Sequence, residues 1–187
     1  MDALVGGVTV LERAVAYALG SLALATPGQL ANPTPCSRWT LRDLLEHLGD
    51  SLAALEEAAT TGRVTLTPAP HAEGVLTQVR DQAVRLLGAW TTINGNSPVR
   101  VEQAPLSAPL VAGAGAIEVT VHGWDVAQAC GVSRPIPPSL ADELLDLSVL
   151  LVRPWDRPGR FAPPLRPPPV SDPSERLLAF LGRVSFT

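Results

Sequence analysis

The chain contains no lysine: all fourteen of its basic residues are arginine, in a sequence rich in Ala, Leu, Pro and Gly. We read this as a coding bias without physical function. A formal net charge of −4 and the absence of any basic run leave no electrostatic footprint for nucleic acid. Two cysteines, Cys36 and Cys130, are too few and too irregularly spaced for a disulfide framework or a thiolate metal site, and both read as core or boundary residues. No uninterrupted apolar run reaches the roughly 18 residues a membrane span needs, and no basic segment leads into an apolar one at the N-terminus. A soluble, cytoplasmic protein without membrane partners is expected. There is no glycine-rich phosphate loop, no Gly-x-Ser-x-Gly elbow, no paired-carboxylate signature and no internal repeat.

What is present is a series of helical patterns. At 187 residues the chain reads as a single domain, 1–187, able to bury a core without disulfides or a structural metal. Any metal it holds is therefore expected to serve function. Val8, Leu11, Val15, Ala18, Leu19 and Leu22 recur at helical spacing up to Thr26-Pro-Gly28. The proline-containing stretch from Thr26 to Trp39 reads as a connecting loop, ordered or disordered. Thr40 with Asp43 then forms an N-cap signature ahead of a Leu41, Leu44, Leu45, Leu48, Leu52, Leu55 stripe ending at Gly62. His47 lies on the flank of that stripe, where it either looks into a bundle or sits half exposed at its boundary.

A third helix is expected from about Glu73 to Trp90, with His71 before it as a solvated loop residue. Asn94 to Ser97 reads as a turn. Pro98 to Pro109 reads as a long irregular connection with an extended piece at Val99 to Val101. A fifth helix is expected over Ser139 to Val152, capped by Ser139 with Asp142, and a Pro- and Arg-rich segment follows from Arg153 to Pro173. Asp172, Pro173 and Glu175 then mark the start of a short C-terminal helix.

Between the third and fifth helices lies Glu118-Val-Thr-Val-His122-Gly-Trp-Asp125. Glu118 and His122, four residues apart, share one helical face, and Asp125 follows one turn on. Strand alternation would also put Glu and His together. Helix is preferred because the segment runs about twenty residues without a turn signal before stopping at Gly131. The surrounding residues are apolar, and buried ionisable groups need partners. A divalent ion would satisfy carboxylate and imidazole together; a surface Glu–His pair is the plainer alternative. Amphipathic helices around one Ala- and Gly-rich member suggest a four-helix bundle, in which metal sites are built from side chains on facing helices. His47, Glu118 and His122 would then supply three ligands and leave a position open, the pattern of a catalytic and not a structural zinc. Asp125 either orients His122 as a supporting acid or pairs with an arginine such as Arg134. Asp43 is accounted for by capping, and Trp39 and Trp124 by packing. Cys36 has no histidine or helix terminus evidently placed to activate it as a nucleophile.

Pro33-Thr-Pro-Cys36, Trp39-Thr-Leu-Arg-Asp-Leu-Leu-Glu-His47, the 118–125 stretch and Arg176-Leu-Leu-Ala-Phe-Leu-Gly-Arg183 together carry a resemblance. The chain resembles the actinobacterial metal-binding proteins related to the mycothiol-dependent maleylpyruvate isomerase metal-binding domain, in the DinB/YfiT-like superfamily. The resemblance implies an all-α, DinB-like four-helix bundle with one or two additional short helices, and metal ligands at His47, Glu118 and His122. It departs in two ways. There is no room for the isomerase's second, sterol-carrier-like domain, so maleylpyruvate isomerisation is not implied, and Ser37-Arg38 replaces the Pro-Gly often found before the family's Trp. The expectation is a divalent-metal enzyme, with zinc ahead of nickel or iron. It would activate a small thiol such as mycothiol, or a small substrate, as an S-transferase or isomerase would, with Asp125 assisting. The alternatives are a biosynthetic cyclase or lyase using the metal as Lewis acid, and a non-catalytic metal- or ligand-binding bundle. Homodimerisation stays open.

Overall fold

The computed structural model describes residues 7–36, 39–65, 74–90, 98–157 and 161–183. Six α-helices dominate the described residues: α1 (Gly7–Leu22), α2 (Leu41–Thr61), α3 (Val75–Trp90), α4 (Ala108–Ala129), α5 (Pro138–Leu151) and α6 (Pro173–Phe180). α1 to α4 form the bundle, with α1 laid along α4 and α2 between α3 and α4; α5 rests on α4 and carries α6. The expected all-α bundle with additional short helices is what the chain forms.

The local reasons are visible in the sequence. α2 begins where Thr40 accepts the Asp43 amide at 3.3 Å while the Asp43 carboxylate takes the Thr40 amide at 2.8 Å, satisfying two amides the helix itself cannot pair. It ends at Gly62, whose left-handed backbone (φ 68°) closes the last turn. Its leucine stripe, Leu41, Leu44, Leu45, Leu48 and Leu52, is fully buried. α6 repeats the capping device with Asp172 and Glu175. α4 is buried nearly all round, and its small residues allow that. A Cβ on Gly115 would lie 2.5 Å from a Leu55 methyl, so a side chain there would force the buried Leu55 to shift.

The described part of the connection before α2, residues 26–36 and 39, is ordered. It contains a 3₁₀ turn at Pro27–Gln29, and the Thr34 hydroxyl donates to the Cys36 and Trp39 carbonyls while accepting the Cys36 amide. Asn32 ties it to the end of α4 through the Ala129 carbonyl at 2.9 Å. His71, Glu73, the 94–97 turn and Ser37-Arg38 lie outside the described residues.

Three expectations need correction. Pro98 to Pro109 is not an irregular connection: β2 (Pro98–Val101) and β3 (Ala104–Ser107) form an antiparallel hairpin, and β1 (Arg63–Val64) adds to β2 in parallel. Pro105 is tolerated because β3 is the edge strand, where a missing amide breaks no ladder. α4 starts at Ala108, inside the stretch expected to be connection, because Pro109 fits the first helical turn. α5 starts at Pro138, so Ser139 is inside the helix and caps nothing; its hydroxyl accepts from Arg13 at 2.9 Å, and Asp142 pairs with Arg176 at 2.8 Å.

Candidate metal centre

One turn beyond Gly115, the face of α4 that packs on α2 carries Glu118 toward His47. Glu118 Oε1 lies 2.6 Å from His47 Nε2 and 3.1 Å from His122 Nε2. Ser51, one turn beyond His47, adds a longer contact of 3.4 Å to the same oxygen. His47, Glu118 and His122 can each offer a ligand atom, with these atoms within 4.8 Å of one another. The three residues expected from sequence are thus brought together. The His47 and Glu118 side chains remain 39% and 30% exposed, whereas His122 is 7% exposed. The group is therefore open to solvent on the α2 side and closed behind the His122 ring.

Behind that ring, His122 Nδ1 lies 3.0 Å from Asp125 Oδ2, and Asp125 is fully buried. Arg183, just past α6, grips this carboxylate in a fork: Nε at 3.0 Å from Oδ1 and Nη2 at 3.0 Å from Oδ2. Both contacts expected for Asp125 are formed: it faces His122 Nδ1, and it pairs with an arginine, which is Arg183. The Arg134 pairing is not formed; Arg134 instead donates to the Tyr17 carbonyl and the Ser21 hydroxyl at 2.8 and 2.9 Å.

Burial opposes charge on all of these groups, and their mutual pairing overcomes it. Glu118 is held well below the usual carboxylate range by the charge and hydrogen bonds of His122 and His47. His122 is held well above the usual imidazole range by the Glu118 charge and by hydrogen bonds with Asp125, Cys36 and Glu118. The Asp125 carboxyl is lowered by its bond to His122 and the Arg183 charge, and Arg183 is raised in turn by Asp125.

Sequence spacing missed three neighbours of the triad. The Trp39 ring centroid lies 4.8 Å from that of His47 and 6.1 Å from that of His122, so this tryptophan walls the site. The Cys36 thiol donates to Asp125 Oδ2 at 3.2 Å and lies 3.9 Å from His122 Nδ1, so a histidine does stand beside it. Arg183 arrives from 58 residues beyond Asp125. The quoted motifs contain all three residues, but nothing in their spacing shows that they meet. Cys36, His122 and Asp125 form a second set of potential ligand atoms within 4.8 Å of one another, on the opposite side of the same imidazole.

The family profile described as the mycothiol maleylpyruvate isomerase N-terminal domain matches residues 11–127. Two uncharacterized proteins of Mycobacterium tuberculosis, one from strain CDC 1551 / Oshkosh and one from ATCC 25618 / H37Rv, are each 31% identical over 165 residues, covering 87% of this chain and 89% of their own. Among solved structures, the mycothiol-dependent maleylpyruvate isomerase superposes with a TM-score of 0.59 at 18% identity, over 77% of this chain and 67% of that one. This last similarity establishes the fold. His47, Glu118, His122 and Asp125 fall inside the matched residues, and Arg183 falls outside them.

Proposed function

Since this chain belongs to the mycothiol maleylpyruvate isomerase N-terminal domain family, we propose that it is a metal-dependent enzyme acting on a small thiol, with mycothiol the first candidate. The observation that carries this reading is the convergence of two imidazoles and one carboxylate from α2 and α4 on one partly exposed spot. Two nitrogens and one oxygen are a donor set suited to zinc, with nickel or iron as alternatives, and three protein ligands leave a position for a ligand from solution. Bound there, zinc would supply a Lewis acid that favours the deprotonated form of a thiol at neutral pH.

The chain's own residues would do the remaining work. Glu118 supplies one negative charge at the site, and Arg183 neutralises Asp125. With a divalent ion the cluster would therefore carry a single net positive charge, which suits one anionic ligand such as a thiolate. Asp125 holds Nδ1 of His122, which directs the Nε2 lone pair toward the ligand set. Trp39 narrows the approach over His47, so the part of a substrate beyond its sulfur would pack against the indole.

The test is consumption of an electrophilic acceptor by mycothiol, or by simple thiols, in the presence of zinc-loaded protein. Acceleration over the protein-free rate is expected, with its loss in His47→Ala. If no thiol at millimolar concentration reacts faster with the protein than without it, thiol activation is wrong. A cyclase or lyase using an oxygen-bound substrate then becomes the better reading.

A further inference from the structure

His122 faces two sets of donors, and a metal ion could in principle choose either. On its Nε2 side stand His47 and Glu118; on its Nδ1 side stand Cys36 and Asp125, a set with the soft sulfur that zinc and cobalt favour. By donor chemistry alone the second set is a credible site. What separates the two is the guanidinium of Arg183. Its Nη2 lies 3.0 Å from Asp125 Oδ2 and 3.4 Å from Cys36 Sγ, which puts a permanent positive charge among the donors of the second set. The Arg183 side chain is 8% exposed, so solvent does little to screen that charge. No other arginine is seen on the Nε2 side among the described residues that contact Glu118 or His47.

We propose that Arg183 is a metal-selecting residue: it occupies the Cys36–Asp125 side of His122, denies that side to a cation, and reserves the imidazole's Nε2 for the His47–Glu118 site. This inference rests on the metal-binding reading above and adds the reason why the metal lies on one side of the ring. It assigns to the C-terminal segment, beyond the residues the family profile matches, a part in deciding which donors bind. The protein would hold a latent thiolate site that appears when the guanidinium is removed.

Cobalt substitution distinguishes the two sites, because a sulfur-to-cobalt charge-transfer band appears only when a thiolate is a ligand. The wild-type protein is expected to take up one equivalent of cobalt without that band, and Cys36→Ser to behave identically. Arg183→Met is expected to take up a second equivalent together with the band, and Arg183→Met/Cys36→Ser to lose both. Arg183→Gln, which keeps amide donors for Asp125 without the charge, gives the same readout should the methionine variant fold poorly. A Cys36-dependent band in the wild-type protein would overturn the proposal, because the metal would then already be on the thiol side. One band-free equivalent in the wild type, with no second equivalent in either folded Arg183 variant, would overturn this inference and leave the metal-binding reading standing. No cobalt uptake by the wild type would end both.

Discussion

The two nitrogens of His122 have different partners, and that division is the centre of the site. Nδ1 is committed to Asp125, so Nε2 is the nitrogen left for Glu118 or a metal. Glu118 and Asp125 hold this imidazole well above its usual range against the opposing effect of burial, so proton and metal would compete for Nε2. The same rule, that a buried polar group is fixed by its partner, governs Tyr17 on α1. Its hydroxyl donates to the Arg134 carbonyl at 2.6 Å, and the Arg134 guanidinium lies 4.3 Å above its ring. Burial pushes this phenol from 10.0 up to about 12, against the lowering influence of Arg134. The folded state therefore favours the neutral phenol. The stability this gives is fully present below the unfolded value near 10 and is lost as pH rises toward 12, about 2 to 3 kcal/mol in all. Tyr17 is the only tyrosine, so tyrosinate absorbance reports it directly. The native protein should show its inflection near 12 and the urea-unfolded chain near 10, whereas a native inflection at the unfolded position would contradict the burial argument.

At the scale of elements, the site depends on how closely α2 and α4 approach. Gly115→Ala would set its methyl against Leu55, costing about 1 to 3 kcal/mol by overpacking. Where Leu55 does not turn aside, α4 is pushed from α2, and Glu118, one turn further along, is expected to draw away from His47 and weaken zinc binding. Urea melts and zinc titration of Gly115→Ala, and of Gly115→Ala/Leu55→Ala, check this: the double variant should regain zinc affinity. Unchanged affinity in the single variant would show that the helix spacing does not set the site. These helices were legible because periodicity and capping are local signals; Thr40 with Asp43 and Asp172 with Glu175 sit where their sequence pattern puts them. The β2–β3 hairpin was hidden because its two-residue turn is Glu102-Gln103, not the usual Asn-Gly, with Glu102 at φ 52°. Prolines at 98 and 105 also argued against strand. Ser139 misled for a related reason, since Pro137 and Pro138 can themselves open a helix.

Over the whole molecule, the candidate centre draws on residues from Cys36 to Arg183, so the loop before α2, α2, α4 and the end of α6 come together to form it. Glu118 with His122 was readable because both lie on one helix, where spacing fixes direction, and His47 because its helix and flank were clear. Trp39, Cys36 and Arg183 were not, because loop conformation and the docking of α6 bring them in, and neither leaves a periodic trace. Among the described residues no helix is long and apolar enough to cross a membrane, which agrees with the absence of long apolar runs. If His47, Glu118 and His122 hold a functional divalent ion, metal content should follow these residues. Elemental analysis of protein purified without chelator or nickel resin tests it most directly, with circular dichroism confirming that each variant is helical. About one zinc per chain is expected in the wild type and in His71→Ala, with its loss in His47→Ala and His122→Ala. Equal metal in all four proteins would contradict it.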